Sequence, residues 1–190
     1  MKNLLINSRA RLALAISPLF THKFVQAFLC SWLIALGAYI SIPFYPVPLT
    51  LQTFSIALIS LVMPVQVAIS AVVFYISYAA MGIPVLEGGA NGIGALVGPT
   101  AGYIVGFILM SATISLLIKR YPASSALKRC LFTLIGGAIL FLIGVGYMSH
   151  LFSWNIAIKA GLLPFMFSEP IKLALAAYLS KFIQHRYLTK

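Results

Sequence analysis

The sequence predicts an all-α integral membrane protein, a single six-transmembrane-helix bundle with partly re-entrant extracellular loops. Three observations predict it. The 190 residues are 62% hydrophobic and only 8% charged, with a mean hydropathy of +1.04, whereas a soluble domain carries about 25% charged residues. Long apolar runs recur, and a membrane helix needs about 20 mostly apolar residues. Prolines fall mostly between the runs, and six of the fourteen glycines crowd into a single stretch between two of them. The formal net charge of +11 raises nucleic acid as a partner. The basic residues flank apolar runs, however, and that position suits lipid headgroups and bilayer orientation better. The lipid bilayer is therefore the expected surroundings, and no nucleic acid is expected.

Taken in order, residues 1–23 read as a cytoplasmic N-terminal segment, because Arg9 and Arg11 break its apolar patch before any long signal-peptide core can form. The first span covers about residues 24–42. Pro43, Pro46 and Pro48 then impose an extended connector, since proline fixes its own φ and disfavours helix in the residue before it. A short second helix follows over about residues 51–62, with Thr50 as its cap, and the apolar PVPLT stretch before it is placed to dip into the protein. Met63 and Pro64 turn the chain into a third span at about residues 65–81. The fourth span runs over about residues 99–118 and stops at Lys119-Arg120. The polar YPASSALKR connector leads to a fifth span at about residues 130–148. A short helix at residues 155–163 is interrupted by Pro164, and the last span occupies about residues 170–183. Ser168, Glu169 and Pro170 supply the hydroxyl cap, early acid and early proline of a helix start. Residues 184–190 complete the single domain as a cytoplasmic tail. Cys30 and Cys130 lie in or beside apolar runs and read as buried thiols.

Charge orients this bundle. Lys2, Arg9, Arg11 and Lys23 precede the first span, Lys119, Arg120, Lys128 and Arg129 lie between the fourth and fifth, and Lys181, Arg186 and Lys190 follow the last. With six spans these eleven of thirteen basic residues share one side, which the positive-inside rule makes the cytoplasm. The expected location is the cell membrane, multi-pass, with both termini cytoplasmic. The proline connector, the glycine-rich stretch and the segment before the last span then all face outward.

The glycine-rich stretch, GIPVLEGGANGIGALVGPTAGYIVGF from Gly82 to Phe107, holds six of the fourteen glycines before residue 99. It reads as a plain connector or as a loop re-entering the protein to line a ligand site, the setting in which irregular backbone is tolerated at membrane depth. The chain has two acids, Glu87 and Glu169, and ionisable groups within membrane segments are functional candidates. Lys172 stands three residues after Glu169, on the same helix face. The two form either an anchoring ion pair or a polar pair facing a pocket, with the lysine suited to a ligand carboxylate and the acid to ligand N–H groups. Glu87 faces solvent at a mouth or lines the site. Asn91 is a ligand contact or a turn residue, and Gln52 a site amide or interhelical glue. Phe44, Tyr45 and Tyr103 are candidate apolar walls. Ala27, Ser31 and Ala35 recur every fourth residue and allow close approach of a helix, from this chain or from a partner.

Several chemistries are missing. GxxxxGK[ST] does not occur, so the chain lacks the phosphate cradle of an ATPase. His22, His150 and His185 lie far apart without metal spacing. The chain reads as no enzyme and as holding no cofactor or metal.

PVPLTLQT (46–53), the Gly82–Phe107 stretch and LLPFMFSEPIKLALAAYL (162–179) together resemble the BioY family, the biotin-specific substrate-capture (S) components of energy-coupling factor transporters. The likeness covers most of the chain from the first span onward. It implies a six-helix bundle with an extracellular biotin pocket built partly by the two unusual loops. Gln52, Asn91, Glu169 and Lys172 would contact biotin, and Tyr103 would shape the pocket. Ala27, Ser31 and Ala35 would meet the transmembrane coupling subunit, while partner ATPase subunits use ATP. The sequence departs from the family in two places: Glu169 stands where aspartate is usual, and Glu87 where a small or neutral residue is commoner. The other readings are a stand-alone or oligomeric transporter of biotin or another small carboxylate-bearing vitamin, and a non-transporting membrane scaffold.

Overall fold

A computed structural model describes residues 22–184. The expected N-terminal segment, apart from its last two residues, and nearly all of the expected tail lie outside them. Helix α1 (Lys23–Tyr39) leads into a two-residue strand β1 (Ser41–Ile42), which pairs antiparallel with β2 (Leu49–Thr50). Helices α2 (Gln52–Val62) and α3 (Val65–Ala80) follow. A 3-10 turn (Glu87–Gly89) and the short α4 (Gly92–Leu96) then lead to α5 (Ala101–Arg120) and α6 (Ala126–Leu151). The chain closes with α7 (Trp154–Gly161) and α8 (Phe165–Ile183).

The protein is mostly helical, as a membrane protein with apolar helices should be, because helices satisfy backbone polar groups within the segment. Helices α5 and α6 are long and apolar enough to cross a bilayer, and α7 with α8 forms a third such unit bent by 46° at its break. The remaining apolar helices are shorter, at 17, 11 and 16 residues for α1, α2 and α3. At 1.5 Å per residue, α2 reaches only about half way through a ~30 Å hydrocarbon core. Large apolar side chains such as Leu127, Leu142, Ile171 and Phe182 stay exposed on the outside of the bundle, where hydrocarbon is the matching solvent. Inside, Ile34, Ile56, Tyr75, Met110, Ile114 and Met148 are fully buried.

Side-chain caps explain two of the helix starts. Ser125 and Ser153 cap α6 and α7 by accepting from the amides of Lys128 and Ile156 at 3.3 and 3.4 Å. Thr50 is not the cap of α2: Leu51 occupies that position without a side-chain cap bond, and the Thr50 hydroxyl, one residue earlier, accepts from the Gln52 backbone N–H at 3.3 Å. Between β1 and β2 the proline connector closes as a hairpin that buries Val47, so the PVPLT stretch does dip inward. The last helix corrects the expectation. It starts at Phe165, where Phe165 N–H donates to Leu162 O at 3.0 Å and Met166 N–H to Leu163 O at 3.3 Å. Pro170 sits inside it, and Ser168 is no cap, its hydroxyl donating back to Phe165 O at 3.5 Å. A proline this early removes only the bond to the Met166 carbonyl, which the bundle tolerates. Both cysteines are free, Cys30 buried and Cys130 partly so.

The stripe of Ala27, Ser31 and Ala35 is closed off. Their relative exposures are 1%, 0% and 3%, because α1 packs this face against α3 and α2 of its own chain. Phe28, Trp32 and Leu36 take the outward positions instead. Intramolecular packing has thus claimed the small residues, which offer no open surface to a coupling subunit in this structure.

Candidate functional site

A cavity of about 200 Å³ lies where the β1–β2 hairpin, the glycine-rich loop and the first turns of α2, α5 and α8 converge. The hairpin contributes Pro46, Val47, Pro48 and Thr50, and the loop contributes Leu86, Glu87 and Ala90. Parts of the hairpin and of the glycine-rich loop therefore line a cavity, which is where irregular backbone belongs in a membrane protein. Within the 3-10 turn, Gly88 takes φ +63°, a left-handed conformation that glycine adopts without strain. Two hydrogen bonds fasten the loop to the neighbouring chain. Tyr39 Oη donates to Pro84 O, and Ser41 Oγ donates to Glu87 Oε1 at 3.2 Å.

One wall is aromatic. Tyr103 meets Phe141 edge-on at 5.9 Å between ring centroids, and Phe141 leans on Phe165 at 5.4 Å. Tyr103 is fixed by donating its hydroxyl proton to Gly161 O at 2.7 Å. Its ring fits only because α6 carries glycine opposite it, since a Cβ at Gly144 would overlap the ring carbons. The neighbouring polar wall starts α2. There Gln52 donates its amide to Tyr75 Oη and accepts at Oε1 from Thr50 Oγ1 at 2.8 Å, so Gln52 is held in one orientation.

Glu169 is 4% exposed and lines the cavity. Its Oε1 contacts Lys172 Nζ, and Nζ also donates to Thr50 O at 2.7 Å, tying α8 to the hairpin end. The other carboxylate oxygen, Oε2, is buried with no partner, as is Thr53 Oγ1 on the same cavity. A buried acceptor and a buried hydroxyl without partners cost roughly 1–3 kcal/mol each, more for the charged group. A ligand with N–H donors and a carbonyl oxygen would satisfy both, and the aromatic wall would take an apolar ring.

Of the residues expected at a site, Gln52, Tyr103, Glu87 and Glu169 line this one cavity. Lys172 does not; it sits behind Glu169, neutralising it. Asn91 does not either: it is exposed and its amide donates to Gly89 O at 3.1 Å, a turn role. Phe44 and Tyr45 are exposed and leave the walls to Tyr103, Phe141 and Phe165. Thr53 is the residue the sequence did not single out. The signal was present, for Thr53 immediately follows Gln52 in the proline-rich motif, but a threonine one residue into a helix reads as ordinary. Phe141 and Phe165 gave no signal, being two phenylalanines among thirteen in the chain.

A family described as the BioY family matches residues 7–189 of the chain. The chain is 35% identical over 166 residues to the biotin transporter BioY of Thermotoga maritima, covering 84% of this chain and 94% of that protein. To the biotin transporter BioY2 of Lactococcus lactis it is 33% identical over 152 residues, covering 75% and 83% respectively. Among solved structures, the fold is similar to the S-component for biotin from an ECF-type ABC transporter. The TM-score is 0.76 at 22% identity, over 85% of this chain and 89% of that one.

Proposed function

The chain belongs to the BioY family, and from that membership we propose that it captures biotin at the membrane as the S component of an energy-coupling factor transporter. The observation that carries the reading is the pair of unpartnered buried polar atoms, Thr53 Oγ1 and Glu169 Oε2, on one cavity with an aromatic wall. Biotin offers a ureido group with two N–H donors and one carbonyl oxygen on an apolar bicycle. The carboxylate oxygen accepts an N–H, the threonine hydroxyl donates to the carbonyl, and the bicycle lies against Tyr103, Phe141 and Phe165. Gln52, already held by Tyr75 and Thr50, borders the polar end. Lys172 acts from behind by pairing with Glu169 and holding it in place, which is a positioning role.

The cavity faces outward in this reading. Lys119, Arg120 and Lys128 lie at the far ends of α5 and α6 from the cavity, and the positive-inside rule makes that end cytoplasmic. Both termini are then on the cytoplasmic side. The chain has no nucleotide cradle, so ATP is used by partner subunits, coupled through a transmembrane subunit.

The test is the melting of the detergent-purified chain with and without biotin. A ligand bound only by the folded state adds about 2.7 kcal/mol at a hundredfold excess over Kd. A saturable rise in Tm that is lost in Glu169→Gln is expected. Folded protein whose Tm ignores biotin at millimolar concentration sinks the reading.

A further inference from the structure

A second cavity, of about 210 Å³, lies between α6 and α8. It shares Phe141, Phe165 and Glu169 with the first, so these side chains form a partition between the two. The rest of its lining on the two helices follows helical spacing, with Leu134, Gly137 and Ala138 on α6 and Met166, Pro170 and Leu173 on α8. Glycine and alanine at 137 and 138 give α6 little side-chain volume here. Leu173 reaches across to Gly137, where a Cβ would stand 2.8 Å from its Cδ1. The helices are joined at both ends of the gap, by Thr133 Oγ1 donating to Leu173 O at 3.3 Å and by the Phe141–Phe165 ring contact at 5.4 Å. The result is a groove. Its floor of Gly137, Phe165, Glu169 and Leu173 is buried, and its rim of Leu134, Ala138, Met166 and Pro170 is exposed. The charged group of the floor, Glu169, is 4% exposed and paired with Lys172.

Depth identifies what fills the groove. Leu134 and Phe141 stand about 12 and about 22 Å from the start of a helix about 39 Å long, which puts the groove near the middle of a ~30 Å hydrocarbon core. The rim continues into exposed apolar side chains of the same two helices, Leu142, Ile171 and Leu175. Headgroups and water-soluble ligands do not reach that depth. A partner's helix, about 10–12 Å across with its side chains, is too thick to enter between two helices joined at both ends of the gap. A hydrocarbon chain is one methylene wide and is the surrounding solvent. Association within a bilayer is driven by van der Waals packing, and a groove that touches a chain on several sides offers more of it than an open helix face. We infer that this groove is a binding site for one acyl chain of a membrane phospholipid, which fills the space behind Phe141 and Phe165 and so backs the wall of the biotin cavity. The effect on biotin rests on the proposed function; the lipid site itself does not.

The experiment reconstitutes the full chain into phosphatidylethanolamine–phosphatidylglycerol vesicles with a trace of phosphatidylcholine carrying a diazirine midway along one acyl chain. After irradiation and digestion, the labelled residues are mapped by mass spectrometry. Leu134, Ala138 and Met166 should carry about fivefold more label than Leu142 and Leu175, a ratio that a handful of added atom contacts supplies. The two controls lie at similar depth and are 74% and 59% exposed. Ala138→Phe puts a ring into the groove and should bring Leu134 and Met166 down to the level of Leu142. Label that follows exposure in the unaltered chain, or that Ala138→Phe does not move, overturns the site. Titration with biotin tests the backing role. The delipidated chain should bind about fivefold more weakly than the same chain with phospholipid returned, and Ala138→Phe, whose ring takes the place of the lipid, should bind alike in both states. Equal affinity of the unaltered chain in the two states overturns the backing role. Folded protein that binds no biotin in either state overturns the proposed function and leaves the labelling to decide the lipid site. That labelling comparison uses the unaltered chain, so it decides even where Ala138→Phe does not fold.

Discussion

Thr53 Oγ1 and Glu169 Oε2 are the two buried side-chain polar atoms without a partner among the described residues, and they differ in what the empty protein does with them. Glu169 is partly compensated by Lys172, whereas the Thr53 hydroxyl is simply withdrawn from water. Replacing Thr53 by valine keeps the shape and removes an unmade hydrogen bond worth ~1–3 kcal/mol. The ligand-free Thr53→Val protein should therefore melt as high as the parent or higher, by roughly 2–4 °C for each kcal/mol in a chain of this size. Its affinity for biotin should fall about tenfold, the value of one lost hydrogen bond. Melting curves and titration of the same sample check both; lower stability with unchanged affinity would make Thr53 a structural residue. The scarcity of polar groups in apolar sequence made Gln52, Glu87 and Glu169 legible, because each has an evident cost if it does nothing. Helical spacing likewise exposed the Glu169–Lys172 pair. What spacing does not reveal is the third member, the Thr50 carbonyl 122 positions away, which withdraws Lys172 from the ligand.

Helix α1 shows a pattern that is read correctly while its use stays open between two partners. The small residues Ala27, Ser31 and Ala35 do mark a close helix approach, but the approaching helices are α3 and α2 of the same chain. The aromatic residues one position on, Phe28 and Trp32, pack around Tyr78 at the rim of that contact, at 6.2 and 5.8 Å. A spacing of four states only that something comes near. Ala35→Leu separates the two uses. Adding three carbons to a position 3% exposed overpacks it by about 1–3 kcal/mol, so the isolated, ligand-free chain should lose several degrees of Tm. An unchanged Tm with impaired transport by the assembled complex would return these residues to a partner interface. The start of α8 was misread for a related reason. Ser168, Glu169 and Pro170 are good opening residues, yet the packing of Phe165 beneath the cavity rewards beginning the helix one turn sooner.

At the scale of the whole molecule the charges are segregated. Both acids line the cavity, and at the opposite end Arg129 is 1% exposed and, among the described residues, makes no ion pair. Its donors go to Ser124 O at 3.4 Å, Ser180 Oγ at 3.1 Å and Gln184 Oε1, which ties the start of α6 to the end of α8. The sequence placed Arg129 on the cytoplasmic side as one of several orienting charges. Its burial was not legible, since it depends on α6 beginning at Ala126, four residues before the expected span. Magnitudes decide what the residue is worth. Three hydrogen bonds from a charged group contribute ~1.5–3 kcal/mol each, against a desolvation penalty of several kcal/mol for the ion. The two nearly cancel. Arg129→Met, which fills most of the same volume without the charge, should leave Tm within about 2–4 °C of the parent. Arg129→Ala removes the packing as well, and a cavity of that kind costs ~2–5 kcal/mol, so it should melt far lower. Neither variant should alter biotin affinity where folded protein is titrated, because the cavity is built at the other end of α6 and α8. Methionine as damaging as alanine would show that the cation itself, through the three acceptors it holds, keeps the two helices together.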